Sequence, residues 1–150
     1  MVDDLDREIL SHLTEDGRKS FREIAEHVDT TPVTVTNRVN KLQEAGVIEN
    51  YSVNLNHEHL GYDVSAIIGL EISGDRAKLR ERLEDCANIL SMYRVTGSTD
   101  ITIVGKFESQ DKLSSFVKGR LLDENDDIVD NVNTQIIMDV YRENHALDPA

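Results

Sequence analysis

The chain has 150 residues, with 29 Asp and Glu against 16 Lys and Arg and a formal net charge of −13 at pH 7. That leaves room for one ordinary domain or two small ones with modest cores, and two small units fit the pattern better. No run of about 18 apolar residues exists, and the start MVDDLDREIL is charged where a signal peptide would be basic and then apolar, so neither a membrane span nor export is expected, and a cytoplasmic location is. Cys86 is the single cysteine, which excludes an internal disulfide and a thiolate zinc cluster.

Leu5, Ile9, Leu10 and Leu13 recur at helical spacing, with Asp3, Asp4 and Asp6 where the helix dipole favours acids, so the first helix is expected to end near Gly17. Gly17 to Arg22 reads GRKSFR, three cations and no acid. Within it Ser20 stands three residues before Glu23, the spacing of a capping box, and Ile24, Ala25 and Val28 give the buried stripe of a two-turn helix stopping near Asp29. A third helix opens with Thr31 as N-cap and Pro32 in its first position, and runs to about Ala45.

From Thr30 to Gln43 there is no Asp or Glu, although the chain average would place about three there. At about 100° per residue, Val35, Val39 and Leu42 share an inward face, while Asn37, Lys41, Thr34 and Arg38 form an outward arc. Those side chains hydrogen-bond phosphates and base edges: Arg38 suits guanine, Asn37 suits adenine, and Lys41 near the helix end suits a phosphate. Arg18, Lys19 and Ser20 at the mouth of the second helix are candidates for backbone phosphate, and the short connection through Asp29 to Thr31 is the spacing of a helix-turn-helix. The alternative is a merely solvated face. The net charge opposes DNA binding, but the cations are not evenly spread, and local field can differ from global charge. The excess acid, 18 against 10 basic residues in 51–150, resembles the solvation strategy of organisms with molar internal salt and points to a halophilic archaeon.

Val47 to Leu55 alternates weakly, which predicts a short strand and then a linker, with the domain boundary at Asn56 to Gly61. The expected division is 1–50, a strand and linker over 51–62, and a second domain over 63–150. His57 and His59 flank Glu58, but two adjacent loop histidines without a third ligand predict no metal. Beyond them the pattern is strand (Val64 to Ile72), helix (Asp75 to Asp85), strand (Ile89 to Val95), strand (Ile101 to Glu108), helix (Asp111 to Leu122), strand (Ile128 to Tyr141). This is the order of a ferredoxin-like βαββαβ unit, so the fold class is α+β: a helix-turn-helix domain followed by a ferredoxin-like domain. On the last strand Val132, Thr134, Ile136, Met138 and Val140 alternate with Asn133, Gln135, Ile137 and Asp139, and apolar residues on both faces predict that a second copy covers the sheet. A two-fold dimer would set two recognition helices in successive major grooves about 10 bp apart.

Val95-Thr96-Gly97-Ser98-Thr99-Asp100 joins two strands. A tight turn around Gly97 accounts for it; a carboxylate beside turn N–H groups and hydroxyls also suits the charged ends of a small amino acid.

The run LDREIL, DGRKSFREIA, TPVTVTNRVNKLQEAGVIENY, LGY and VTGSTD, followed by a final strand with Thr134, resembles the Lrp/AsnC group of transcription regulators over Leu5 to Glu143. The resemblance implies a winged or wing-like helix-turn-helix with Pro32 to Ala45 as recognition helix and Arg38 as its typical arginine. It further implies double-stranded DNA as partner, dimers that assemble into tetramers or octamers, and an amino-acid effector in a cleft between subunits. Gly97, Ser98, Thr99 and Asp100 would line that cleft, with Thr134 and Ile136 facing it. Members commonly enter the last strand through Pro-Gly, whereas this chain has Asn125-Asp126-Asp127. Gly119 inside the second helix of the unit costs about 1 kcal/mol relative to Ala. No catalytic constellation, phosphate loop, cofactor or metal motif occurs, so no enzyme activity is expected. Two rival readings stay open: an effector-free architectural DNA-binding protein, and an amino-acid-binding regulatory subunit of an enzyme.

Overall fold

Asp3 starts helix α1 (Asp4–Glu15) through a reciprocal capping box, its carboxylate accepting the Asp6 N–H at 2.9 Å while the Asp6 carboxylate accepts the Asp3 N–H at 3.1 Å. Ser20 and Glu23 repeat the device at α2 (Phe21–His27), and Thr31 caps α3 (Pro32–Glu44) with Pro32 in the first turn. The caps at Ser20 and Thr31 are the expected ones, whereas Asp3, expected as an acid of the first turn, is itself the cap; at each position a short polar side chain satisfies a helix N–H that has no partner inside the helix. Ile9, Ile24, Ala25, Val35 and Val39 bury one core between the three helices, with Leu5, Leu13, Phe21, Val28 and Ile48 packed against it. The computed structural model describes residues 2–143 and 149, so the tail of the expected 63–150 domain lies partly outside the described residues. The chain divides into two units, Leu55–Tyr141 and the remainder.

In the second unit β1 (Val64–Ile72), β2 (Ile89–Arg94), β3 (Ile101–Phe107) and β4 (Val129–Ile136) form an antiparallel sheet in the order β2-β3-β1-β4. Helix α4 (Arg76–Leu83) and helix α5 (Gln110–Ser115, continued with π winding over Phe116–Leu122) cover one face. Ala66, Ile68 and Leu70 of β1 and Ile103 and Phe107 of β3 meet Leu79, Leu83, Leu113 and Leu121 there. Alternation in β1 and β3 thus places every second residue in this core, and Ile67, 37% exposed, lies on the other face.

Two expectations are corrected. The last strand, expected to reach Tyr141, ends at Ile136: the Ile137 N–H makes a final bond to the Ser65 carbonyl at 2.8 Å, and beyond it β1 offers no further partner. Met138 and Val140 therefore stand exposed outside the strand. Val47 to Leu55 forms no strand, so the winged form gains no β-wing among the described residues; an isolated extended segment has no ladder to join. Instead the Val47 and Ile48 N–H groups turn back onto the Leu42 carbonyl at 2.8 and 3.2 Å. Asn125-Asp126-Asp127 replaces a Pro-Gly entry by side-chain bonds. Asn125, 1% exposed, accepts from Arg82 at 2.8 Å and donates to the Arg120 carbonyl at 2.7 Å, while Asp127 takes Lys78 at 2.9 Å and Arg82 at 3.0 Å.

Candidate nucleic-acid interface and effector loop

The corner between α2 and α3 is made by Asp29, which adopts φ 50°, a left-handed conformation that Asp tolerates better than most residues. The Thr30 N–H bonds the Ala25 carbonyl at 2.9 Å, fixing α3 against α2. Since Val35, Val39 and Leu42 are buried, the opposite side of α3 is presented outward, and there Asn37 and Lys41 are exposed as expected. Thr34 is half-buried, and its hydroxyl lies 2.9 Å from that of Thr31, which accepts the Thr34 N–H at 3.2 Å. Both hydroxyls are engaged in the cap, Thr31 being exposed and Thr34 only partly so.

Arg38 departs from its expected place. Its guanidinium reaches back to α1, donating to Asp3 and, at 3.3 Å, to Asp6. The carboxylate of Asp3 raises the Arg38 pKa above the ordinary arginine value. In turn the Asp6 backbone N–H and then Arg38 hold Asp3 below the ordinary carboxylate value. At about 300° on the helical wheel Arg38 sits on the flank of α3, close enough to the core for the acids of α1 to capture it. The arginine read from the sequence as a base contact is here a brace between α1 and α3.

The residues at the mouth of α2 divide in the same way. Arg18 is exposed, and among the described residues it makes no salt bridge. Lys19 is bonded to Glu15 at 2.6 Å, and Ser20 is occupied by its capping box, donating to Glu23 at 2.7 Å. Two further residues complete the outward face and were not singled out from sequence: Val33, 69% exposed, and Asn40. The signal was available, because the same wheel sets them about 160° and 140° from Val35. An exposed valine is suited to a thymine methyl and an asparagine to a base edge. The face is therefore Val33, Asn37, Asn40 and Lys41, with no acid until Glu44.

In the second unit Gly97 has φ 119°, which a residue with a Cβ rarely adopts, so the turn accounts for the glycine. Asp100 is committed within the chain. Its N–H bonds the Leu70 carbonyl at 2.8 Å, one carboxylate oxygen accepts the Ile72 N–H at 2.8 Å and the other faces Arg76 at 3.3 Å. Thr99 lies over β1 at Gly69, where an added Cβ would stand 2.7 Å from the Thr99 methyl; Ser98 is exposed. Thr134 and Ile136 pair with Ile68 and Ala66, which puts them on the helix-covered face in a groove of about 410 Å³ beside Leu113 and Val117. Gly69 has the opposite parity on β1, so a single chain holds Thr99 and the pair Thr134 and Ile136 on different faces of the sheet. Among the described residues no three His, Cys, Asp or Glu side chains gather as a metal site, His57 and His59 included.

Comparison with known proteins follows this division. A model described as winged helix-turn-helix DNA-binding matches residues 2–49, and one described as Lrp/AsnC ligand binding domain matches residues 65–147. An uncharacterized HTH-type transcriptional regulator of Pyrococcus furiosus is 40% identical over 149 residues, covering 99% of both chains. Regulatory protein AsnC of Haemophilus influenzae is 34% identical over 102 residues, 67% of this chain and 68% of that one. Among solved structures, E. coli AsnC superimposes with a TM-score of 0.91 at 26% identity, covering 99% of each chain. A Neisseria meningitidis transcriptional regulator in complex with L-Met gives 0.89 at 25% identity, covering 98% of this chain and 96% of that one.

Proposed function

We propose a sequence-specific regulator that answers a small amino acid, because this chain belongs to the Lrp/AsnC family of DNA-binding transcription regulators with a ligand-binding domain. It is not an enzyme. The observation that carries the DNA reading is the outer face of α3: Val33, Asn37, Asn40 and Lys41 exposed together on a helix with no acid before its last residue, Glu44, and with Val35, Val39 and Leu42 of the other side buried. Val33, Asn37 and Asn40 read base edges, and Lys41, Arg18 and the hydroxyls of Thr31 and Thr34 approach phosphates. Arg38 holds α3 in register with α1; Lys19 and Ser20 stiffen the entry to α2.

The effector reading rests on the turn Gly97, Ser98, Thr99 and Asp100 and on the L-Met complex of the Neisseria relative. An amino acid there would act through its unequal affinity for different assemblies, a dimer or a tetramer or octamer built from it. Thr134 and Ile136 come to such a cleft from a second copy, since one chain holds them on the other side of the sheet. The acidic coat fits a cytoplasm of high salt, the setting of a halophilic archaeon, where screening weakens its self-repulsion. Among the described residues no helix is long and apolar enough to cross a membrane.

A second reading, an effector-independent architectural DNA-binding protein, is favoured by one fact: both carboxylate oxygens of Asp100 already have partners inside the chain. Selection of bound genomic fragments, with thermal shift across the twenty amino acids, separates the two. The regulator is expected to enrich a pseudo-palindrome with half-sites about 10 bp apart and to be shifted by at least one amino acid. Fragments of no common sequence and no shift from any amino acid would favour the architectural protein.

A further inference from the structure

Of the three cations in GRKSFR, Arg18 and Arg22 are exposed while the side chain of Lys19 is drawn inward to 22% exposure. What draws it is the end of α1. The Lys19 ammonium donates to Glu15 at 2.6 Å and stands 3.3 Å from Nδ1 of His12. An ammonium has three N–H donors and no acceptor, so Nδ1 is the accepting nitrogen and the His12 ring is neutral.

The ring is held on its other side by α2. His27 stacks on it with centroids 5.1 Å apart, and Nδ1 of His27 lies 2.7 Å from the Glu23 carbonyl, which can only accept, so that nitrogen carries the hydrogen. The charged and titratable groups around His12 are Glu15 on α1, Lys19 in the turn, and His27 and Glu23 on α2; among the described residues no hydrogen bond or ion pair reaches it from α3. The bond from Lys19 holds Glu15 below the ordinary carboxylate value, so Glu15 stays ionised while the ring takes up a proton.

Histidine is the side chain whose charge changes between about pH 5 and pH 8. A proton on Nδ1 of His12 removes the acceptor and sets two cations 3.3 Å apart, with one carboxylate in reach of both: Glu15 is 2.6 Å from Lys19 and 4.0 Å from Nδ1. The ring is clamped between two helices, whereas the lysine hangs on a flexible four-carbon stem. Lys19 is the group that moves.

We propose that His12 is a proton-operated latch on Lys19: the neutral ring keeps the ammonium against α1, and the protonated ring takes Glu15 and turns Lys19 out beside exposed Arg18, onto a DNA phosphate. This rests on the DNA reading of the first unit and adds to it an input, pH, that is separate from the effector. His12 is a positioning residue, acting on DNA only through Lys19.

Two measurements on the full chain test the latch. Nitrogen-15 NMR of the imidazoles, without DNA, is expected to show His12 at about pH 8 with Nδ1 bare and its hydrogen on Nε2; the opposite tautomer would overturn the proposal. Fluorescence anisotropy of a random-sequence duplex is then followed over a KCl series at about pH 8 and about pH 5.5. At the higher pH the native chain and Lys19→Gln are expected to share one salt slope, because Lys19 is withheld. At the lower pH the native slope is expected to be steeper than that of Lys19→Gln by about 0.9, one phosphate contact. His12→Asn keeps an acceptor near Nδ1 and takes no proton, so it is expected to lose that increment with Lys19 still present. Equal slopes for the native chain and Lys19→Gln at both pH values, or an increment that survives in His12→Asn, would overturn the latch. Should His12→Asn fold poorly, the tautomer and the Lys19→Gln comparison decide alone. Absence of duplex binding by the native chain at either pH contradicts the DNA reading itself, whereas a failed latch leaves binding intact with the pH-dependent increment missing.

Discussion

Arg38 carries a consequence for stability that its sequence position hides. Its guanidinium meets Asp3 and Asp6, and Asp6 is only 6% exposed, so Arg38→Ala leaves a buried carboxylate without its charged partner. The variant is expected to melt at a lower temperature than the native chain, a loss that substitution of exposed Asn37 does not reproduce; differential scanning calorimetry of the two variants checks it. The acid limb follows from sign. Asp3 and Asp127 both sit below their ordinary value of 3.8, Asp3 chiefly through the Asp6 N–H and then Arg38, Asp127 chiefly through Lys78 and then Arg82. A lowered folded-state pKa means that the contribution is complete above 3.8 and is lost as pH falls through the lower folded value. Denaturation midpoints measured between neutral pH and about pH 2 should therefore fall on the acid side, and less steeply in Asp127→Asn.

At the scale of elements, the caps were legible because each is a local bargain: Ser20 with Glu23, and Thr31 before Pro32, need only their own neighbours to start a helix. Thr31→Ala is accordingly expected to lower unfolding free energy by about 1 kcal/mol in a urea titration. Strand β1 was legible to the residue, since its apolar run is bounded by turn residues on both sides. The end of β4 was not. Periodicity continued to Val140, but a strand lasts only as long as its neighbour, and β1 begins at Val64. For the same reason the alternation of Val47 to Leu55 gave no strand. Nor could spacing show that Arg38 points to α1, because a helical wheel holds one helix and the acids belong to another. Gly119 lies in the π-wound turn of α5, where an added Cβ would meet nothing within 4 Å and φ is not left-handed. Gly119→Ala should therefore stabilise the chain by about 0.5–1 kcal/mol, again read from urea midpoints.

For the whole molecule, the net charge of −13 and the recognition face pull in opposite directions, and salt decides between them. Added KCl screens the acidic coat and should raise the melting temperature, while it weakens contacts to DNA phosphates. A face that binds duplex under such conditions must draw on base contacts as well as on charge, which is what Val33, Asn37 and Asn40 supply beside the single cation Lys41. The most direct measurement is fluorescence anisotropy of a selected genomic fragment against the native chain and Asn37→Ala with Lys41→Ala, across a KCl series reaching near-molar concentration. The account predicts that the double variant keeps its fold, loses roughly tenfold or more in affinity and has a salt slope shallower by about 0.9. Equal affinity and equal slope for the two proteins would contradict it.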